Sequence, residues 1–397
     1  MTFRILSFDG GGIRGVISAT MLTEIEKIIG QPLSQYFHLI AGTSTGSILA
    51  TAIASDRQAQ DIVDVYQKKG TRIFPYRSLW SPQRVGLVLQ YGPSAPKYSN
   101  KGLIDSLKEE FKYKKLSDIT STNLLITAYD TINREPIIFK SWRKIFAEVP
   151  LWEACLCSAS APTFFPAHKL EKKEEGIAQG GDTNSITLGQ EAAEDNGDYN
   201  QMQIEITGGT GRGQIRTIIG YRGANRMALV DEPWSAVPDN TSTYRVTNVY
   251  SVIDGGVGAN NPTACAIAEA LRLGYKPHEI SVLSLGTGSL TRAIPLESAQ
   301  QWGAIQWALP ILDVIFDASS DINNYIAKQV IDEDNRYLRL QFKLDSKLTG
   351  KRLSDDIDDA SPANIMNLIE AAKVYINLPQ VQKLLRDFIN SEQIHRN

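Results

Sequence analysis

Four short apolar runs in this chain each break into a glycine turn, and this constrains the fold more than any other feature. Phe3–Phe8 runs into Asp9-Gly10-Gly11-Gly12-Ile13-Arg14-Gly15, and Tyr36–Ala41 into Gly42-Thr43-Ser44-Thr45-Gly46. Val249–Asp254 runs into Gly255-Gly256, and Ile280–Leu285 into Gly286-Thr287-Gly288. Further strand-like runs are Asn123–Tyr129 and Ile137–Lys140. Helix-like segments lie between the runs: Val16–Ile29, Ser47–Ser55, and stretches around 101–112, 151–160, 262–273 and 362–390. Strands alternating with helices predict an α/β fold, a mainly parallel sheet flanked by helices on both faces. In such a sheet ligands bind beyond the carboxyl ends of the strands, where all four turns are expected to gather.

Residues 171–249 follow a different pattern. They hold 11 of the 30 glycines and carry seven basic against twelve acidic residues. Short β-like runs (Met202–Thr207, Gln214–Tyr221, Arg226–Asp231, Thr243–Val249) alternate with Gly, Asn, Asp and Pro, which predicts a small all-β insertion. The domains expected are therefore a discontinuous catalytic domain, 1–170 and 250–397, and an inserted β-rich module, 171–249. Within the insertion, Gly208–Gly213 lacks the Gly-Lys-Ser/Thr of a phosphate loop and reads as a turn.

Composition excludes several classes. A formal net charge of −3 over 397 residues gives no basic field for nucleic acid. Three cysteines cannot build a disulfide framework. The opening MTFRILSFDGGG lacks the pattern of a secretory leader, and the longest apolar stretch, Trp302–Phe316, is broken by Gln306, Pro310 and Asp313. The expectation is a soluble cytoplasmic protein, with peripheral contact at a membrane.

Gly42-x-Ser44-x-Gly46 between a strand and a helix has the form of a nucleophile elbow, in which a sharp turn lifts the serine hydroxyl into the open. The competing reading is a tight turn with a capping serine. A serine needs a base. Of the histidines, His278 precedes its strand and so belongs at the amino edge of the sheet, His38 lies within strand two, His168 borders the insertion and His395 is terminal. Asp254 ends a strand beside two glycines, which favours a Ser44–Asp254 dyad with the carboxylate as proton acceptor. Acyl transfer also needs donors for the developing oxyanion. The Gly10, Gly11 and Gly12 N–H groups, at the start of a helix, are the candidates, with Arg14 adding charge or bracing the loop. Gly10-x-Gly12-x-x-Gly15 also fits a dinucleotide fingerprint, but strand two ends in Ala41-Gly42-Thr43-Ser44 with no acid for a ribose.

Taken together, Asp9-Gly-Gly-Gly-Ile-Arg-Gly15, Gly42-Thr-Ser-Thr-Gly46 and Asp254-Gly255-Gly256 followed by Ala259-Asn-Asn-Pro262 resemble the patatin-like phospholipase family. Ser158–Pro166 and Asp317-Ala-Ser-Ser320 resemble further segments of bacterial members. The resemblance covers about 1–170 and 250–390. It implies a patatin-like three-layer α/β/α fold and a lipid acyl hydrolase. Ser44 would be the nucleophile, Asp254 the proton acceptor, and Gly10, Gly11, Gly12 and Arg14 the oxyanion hole. Gly42, Thr43, Thr45 and Gly46 would form the elbow and Gly255 and Gly256 the second motif, with no metal and no cofactor. The implied substrate is a phospholipid or lysolipid met at a membrane surface. Two departures stand out: Ser47 replaces a usual glycine, which would narrow the space beside the nucleophile, and His38 replaces a common acidic residue. The insertion resembles glycine-rich β modules of phage tail and virion proteins, which implies a protein partner for 171–249.

The Trp-rich stretch Trp302–Phe316, including Leu309, reads first as core packing and second as a lipid-facing surface. Asp355–Asp359 lacks calcium-loop spacing and reads as a solvated run. Cys155 and Cys157, two apart on a predicted helix, point to different sides and do not suit one metal site. Two other functions stay open: a binding or assembly protein acting through the insertion on an inactive hydrolase fold, and a histidine-dependent hydrolase using His278.

Overall fold

The computed structural model describes residues 2–307, 310–331 and 336–394. Two compact units emerge: Met1–Ser141 with Val149–His168 and Val252–Asn397, and Trp142–Glu148 with Lys169–Ser251. In chain order the strands of the described residues are β1 (Phe3–Phe8), β2 (Leu39–Thr43), β3 (Asn123–Asp130) and β4 (Glu135–Lys140). They continue with β5 (His168–Ile177), β6 (Gly180–Asp182), β7 (Ser185–Thr187), β8 (Gln203–Gly208), β9 (Ile215–Arg222) and β10 (Met227–Val230). The last are β11 (Thr243–Asp254), β12 (Ile280–Leu285) and β13 (Tyr337–Leu340).

The first unit is built on a parallel run ordered β13-β12-β1-β2-β3, with β4 antiparallel to β3. Every residue of β1, β2 and β12 is buried, as the unbroken apolar runs demanded for a sheet covered on both faces. Each fully buried Leu, Ile or Phe there contributes about 1.5–3 kcal/mol of transfer free energy. The helices Thr263–Arg272 and Pro362–Ile376 each bury one face, whereas Thr45–Ala54 and the first half of Gly15–Ile29 are buried nearly all round. The expected mainly parallel α/β sheet is therefore what forms.

Details differ for physical reasons. Strand two starts at Leu39 rather than Tyr36, because Leu33–Tyr36 make a helical turn first. The helix expected over 362–390 is two, Pro362–Ile376 and Pro379–Ile394, since proline at 379 can start a helix but cannot continue one. Residues 243–254 form one strand, not two. The helices Ala59–Ile73 and Pro310–Val330 and the strand β13 had no expectation attached.

The second unit is antiparallel along β8-β9-β10-β7-β6, with the first part of β11 paired to β8 and β5 paired to β11. The charged run Glu171–Glu175 lies inside β5, where side chains alternate in exposure: Lys172 turns inward and donates to the Ile145 carbonyl at 2.7 Å. The core centres on Tyr199, Tyr221 and Tyr244 with Ile204, Ile206 and Ile218. Tyr199 donates to Glu174 at 2.6 Å, and its ring meets that of Tyr221 edge-on at 4.6 Å. Gly208–Gly213 spans the turn from β8 to β9. Among the described residues, no helix is long and apolar enough to cross a membrane.

Candidate active site

Ser44 occupies the single residue between β2 and the helix Thr45–Ala54, at φ 55° and ψ −124°. A non-glycine residue seldom takes positive φ, and such strain persists only where the surroundings hold it. Close packing holds it here. A Cβ on Gly42 would lie 2.1 Å from the Gly46 carbonyl oxygen, and one on Gly46 would lie 2.3 Å from that of Phe8. Both glycines of the elbow are therefore required by approach distance. The Ser44 N–H donates to Ser158 Oγ at 2.8 Å, and Ser158 Oγ donates on to the Thr127 carbonyl at 2.6 Å. Thr43 Oγ1 donates to the Ala259 carbonyl at 2.6 Å, joining the end of β2 to the Asn-Asn-Pro segment. Ser47, expected to narrow the space beside Ser44, instead turns its hydroxyl back to the Ser44 carbonyl at 2.6 Å.

Asp254 reaches Ser44 by a route the sequence did not suggest. The last three residues of β11 run antiparallel to β3, with Asp254 opposite Ala128, while Thr43 of β2 lies opposite Thr127. Had β11 paired with β3 along its whole length, its carboxyl end would have fallen on the far edge. Because it meets only the end of β3, Asp254 arrives at the same edge as Ser44. Its Oδ1 accepts the Gly256 N–H at 2.7 Å, while Oδ2 is buried without a formed hydrogen bond among the described residues. Burial pushes the carboxyl up to about 7, against the hydrogen-bonding pull of Ser44 and the Gly256 N–H. A buried carboxyl with one open oxygen beside a serine, titrating near neutrality, has the proton affinity expected of a general base.

The glycine loop closes this edge. The Gly10 N–H is already given to the Asn260 carbonyl at 2.9 Å, which removes Gly10 from the expected oxyanion donors. The Gly11 and Gly12 N–H groups donate to no acceptor among the described residues. Arg14 is committed as a brace rather than as a donor toward the pocket: its guanidinium donates to the carbonyls of Gly11 and Asp355, both at 3.3 Å. Burial lowers its proton affinity against the attraction of Asp317, Asp313 and Asp355.

Beneath the loop lies an arrangement that sequence reasoning missed. Arg339 on β13 grips both oxygens of Asp9, at 3.1 and 2.5 Å, and also donates to Ser284 Oγ at 2.8 Å. Ser320 Oγ donates to Asp9 Oδ2 at 3.0 Å. Asp9 immediately precedes the loop, so this bidentate pair fixes where the loop begins. Ser320 falls in the segment already singled out. Arg339 carried no signal, since a lone arginine in a four-residue strand looks like any surface cation.

The histidines do not enter the site. His168 sits 2.8 Å from Glu153, His38 Nδ1 accepts the Arg4 N–H at 3.0 Å before β2 begins, and His278 precedes β12 at the opposite edge. His395 lies outside the described residues. Asp355–Asp359 is not the solvated run expected: Asp358 is buried, accepting from Tyr98 Oη at 2.7 Å and pairing with Lys97. Asp355 pairs with Arg292 at 2.8 Å. The Trp-rich stretch is not core either: Ile305 is 89% exposed, Ile311 and Val314 are partly exposed, and Trp302 lines a cleft. Leu309 of that stretch lies outside the described residues. Among the described residues, no cluster of three or more His, Cys, Asp or Glu could hold a metal.

Two spaces meet at Phe164 and Ile357, and the smaller of them reaches Ser44. A narrow apolar cavity of about 70 Å³ is bounded by Ser44, Asp254, Gly11 and Gly12 and continues between Ile48, Ile73, Phe74, Leu103, Leu107 and Phe165. An open cleft of about 1170 Å³ carries Arg77, Arg292, Asp313, Asp317 and Trp302, and shares Phe164 and Ile357 with the cavity.

A parallel sheet with a strained serine at a strand-to-helix turn, faced by a buried carboxylate, defines the class of α/β folds with a nucleophile-elbow geometry. Within that class, residues 6–186 match the family model described as Patatin-like phospholipase. Patatin-like protein 2 of Oryza sativa subsp. indica is 26% identical over 413 residues, which cover 94% of this chain and 83% of that one. Probable inactive patatin-3-Kuras 1 of Solanum tuberosum is 27% identical, covering 93% and 85%. Among solved structures, human GIVD cytosolic phospholipase A2 is similar at 12% identity and a TM-score of 0.42, covering 98% of this chain and 60% of that one.

Proposed function

We propose that this protein is a lipid acyl hydrolase that cleaves ester bonds of phospholipids or lysolipids through an acyl-enzyme. The observation that carries the reading is the buried Asp254 carboxyl, one oxygen of it without a formed hydrogen bond, lining the same cavity as the strained Ser44. The match to the Patatin-like phospholipase family model supports the substrate class.

Substrate enters through the cleft, with its acyl chain in the apolar cavity and its ester carbonyl at Ser44. Asp254 Oδ2 takes the Ser44 proton as Oγ bonds to the carbonyl carbon. The resulting oxyanion is met by the Gly11 and Gly12 N–H groups, each such donor being worth about 3–4 kcal/mol in the transition state. Collapse expels the alcohol, which recovers the proton from Asp254. A water molecule, deprotonated by the same carboxylate, then attacks the acyl carbon, and the fatty acid leaves as Ser44 Oγ is reprotonated. Gly256 keeps Asp254 Oδ1 occupied, so one oxygen alone handles both proton transfers. No step uses a metal or a cofactor.

The same reading places the protein against a lipid surface. Trp80 is 94% exposed and Leu89 82%, on the 79–91 segment, whose Leu79 and Arg84 line the cleft. Changing both to Ser should lower sedimentation with phospholipid vesicles while leaving turnover of a monomeric ester intact; unchanged sedimentation removes the surface role.

The central test is fatty-acid release from defined phospholipids and lysolipids, together with fluorophosphonate labelling of Ser44. An unlabelled serine and no release would instead leave a non-catalytic binding protein, with any partner for the second unit to be sought by its own interactions.

A further inference from the structure

The apolar cavity does not end on apolar residues. Its mouth is fixed by Phe164 and Ile357, which it shares with the cleft, and the Phe165 and Phe74 rings stand 5.9 Å apart along its wall. From there it follows helix 101–111, whose Leu103, Ser106, Leu107 and Glu110 all face it. Leu103 to Glu110 is seven residues of helix, about 10 Å. The helix Ala59–Ile73 runs alongside in the opposite sense, as the pairs Arg72–Asp105 and Lys69–Glu110 show, and lends Ile73, Gly70, Tyr66 and Val65. Val65 and Glu110 therefore mark the end remote from Phe164.

The nucleophile's own helix gives the same orientation. Ser44 precedes Thr45–Ala54 and Ile48 lines the cavity one turn in, whereas Arg57 follows the helix and pairs with Glu110. Ten residues of helix, a rise of about 15 Å, run from the serine to the helix end that precedes Arg57. Glu110 is also held by Lys69 at 2.5 Å, and the two cations keep its carboxyl below the usual glutamate range despite partial burial. An ionised carboxylate tied to two cations stops an apolar chain, because displacing it would separate opposite charges in a poorly hydrated place.

We infer that the Glu110–Arg57–Lys69 cluster is the end stop of the acyl cavity and sets the longest acyl chain the protein accepts. This rests on the lipid acyl hydrolase reading. It assigns chain-length selectivity to a group remote from the chemistry, one that touches neither the ester nor the proton path. An acyl chain shorter than the cavity leaves apolar wall uncovered. A longer one must either keep its last methylenes in the cleft or displace the cluster.

The test is the ratio of kcat/KM values for nitrophenyl esters of increasing acyl length, measured for the full chain, Glu110→Ala, Glu110→Gln and Leu107→Trp. Each variant is also titrated with a fluorophosphonate to count active serines. One methylene in an apolar pocket is worth roughly tenfold in kcat/KM. The optimum should therefore move to longer chains in Glu110→Ala, with about a tenfold rise in the long-to-short ratio. It should move to shorter chains in Leu107→Trp, which fills the cavity midway. Glu110→Gln keeps the side-chain volume, should fold where Glu110→Ala does not, and should shift the optimum in the same direction by less. An unmoved length profile in labelled, active Glu110 and Leu107 variants overturns the end stop and leaves the hydrolase reading standing. Neither hydrolysis nor labelling in the unaltered chain overturns the hydrolase reading and the end stop with it.

Discussion

The two units bury different things. In the second, Ser185 and Ser242 are the only buried Ser, Thr, Asn or charged residues among the described residues, and the interior is Tyr, Ile, Val, Ala and Leu with Met202 and Trp234. In the first, Asp9, Arg14, Thr43, Ser44, Ser47, Ser158, Ser160, Asp254, Asn260 and Asn261 are all buried, and most sit at strand ends or in the loops that follow them. Burying a hydroxyl or a carboxylate costs free energy unless it is bonded, so a stable module keeps few. The first unit keeps many and bonds most of their polar atoms, leaving Asp254 Oδ2, Asn261 Nδ2 and Ser55 Oγ without a formed hydrogen bond among the described residues. Buried polarity gathered at one edge of the sheet distinguishes a site from a scaffold.

Removing the nucleophile should separate the units most sharply. Ser44→Ala should reduce ester hydrolysis on the order of 10⁴-fold or more and abolish fluorophosphonate labelling, with circular dichroism unchanged. Activity near that of the parent would mean that the buried network serves folding alone. Asp254→Asn should cost about 10³–10⁴-fold in kcat while leaving the serine in place.

The pH response follows from the same carboxyl. Because it holds its proton up to about 7, kcat/KM should fall tenfold per pH unit below that value and level off above it. Stability should run the other way. The folded state binds this proton more tightly than the unfolded chain, so between pH of about 4 and about 7 folding takes up a proton and stability declines as pH rises. Above about 7 the full penalty of burying the ionised form is present, and Asp254→Asn should melt a few degrees higher than the parent at pH 8 but not at pH 4. Equal melting curves at both pH values would show that Asp254 ionises normally.

Smaller effects test the frame of the site. Arg339→Ala leaves Asp9 buried without its cation and should destabilise by about 3–5 kcal/mol, measured by urea unfolding. Arg339→Lys, keeping one contact of two, should lose less stability yet still lower kcat by displacing Gly11 and Gly12. In the second unit, Tyr199→Phe removes its bond to Glu174 and should cost about 1 kcal/mol, with hydrolysis unaltered. A drop in kcat from that change would erase the contrast between the units.

Much of this could be read in the residues. The elbow, the glycine loop and the alternation of strand and helix are local patterns, and local patterns survive into structure: Gly42 and Gly46 are glycines because nothing larger fits. Pairing partners are not local. Asp254 was placed at the right edge by assuming a strand parallel to its neighbours, whereas its strand runs antiparallel and touches β3 only at the tip. The loss of Gly10 as a donor could not be foreseen either, since the acceptor is a backbone carbonyl 250 residues further along the chain. Arg339 and the burial of Asp358 fall in the same category, because each depends on a partner hundreds of residues away.

The hydroxyl of Ser47 stiffens the turn that carries the nucleophile. By clasping the carbonyl of the residue it follows by three, it ties the first helical turn to the strained position and restrains the elbow from rocking. A glycine there would free that hinge, trading a rigid cradle for one that yields to bulkier alcohols. Position 47 is thus a place where tolerance can be tuned without touching any group that moves a proton.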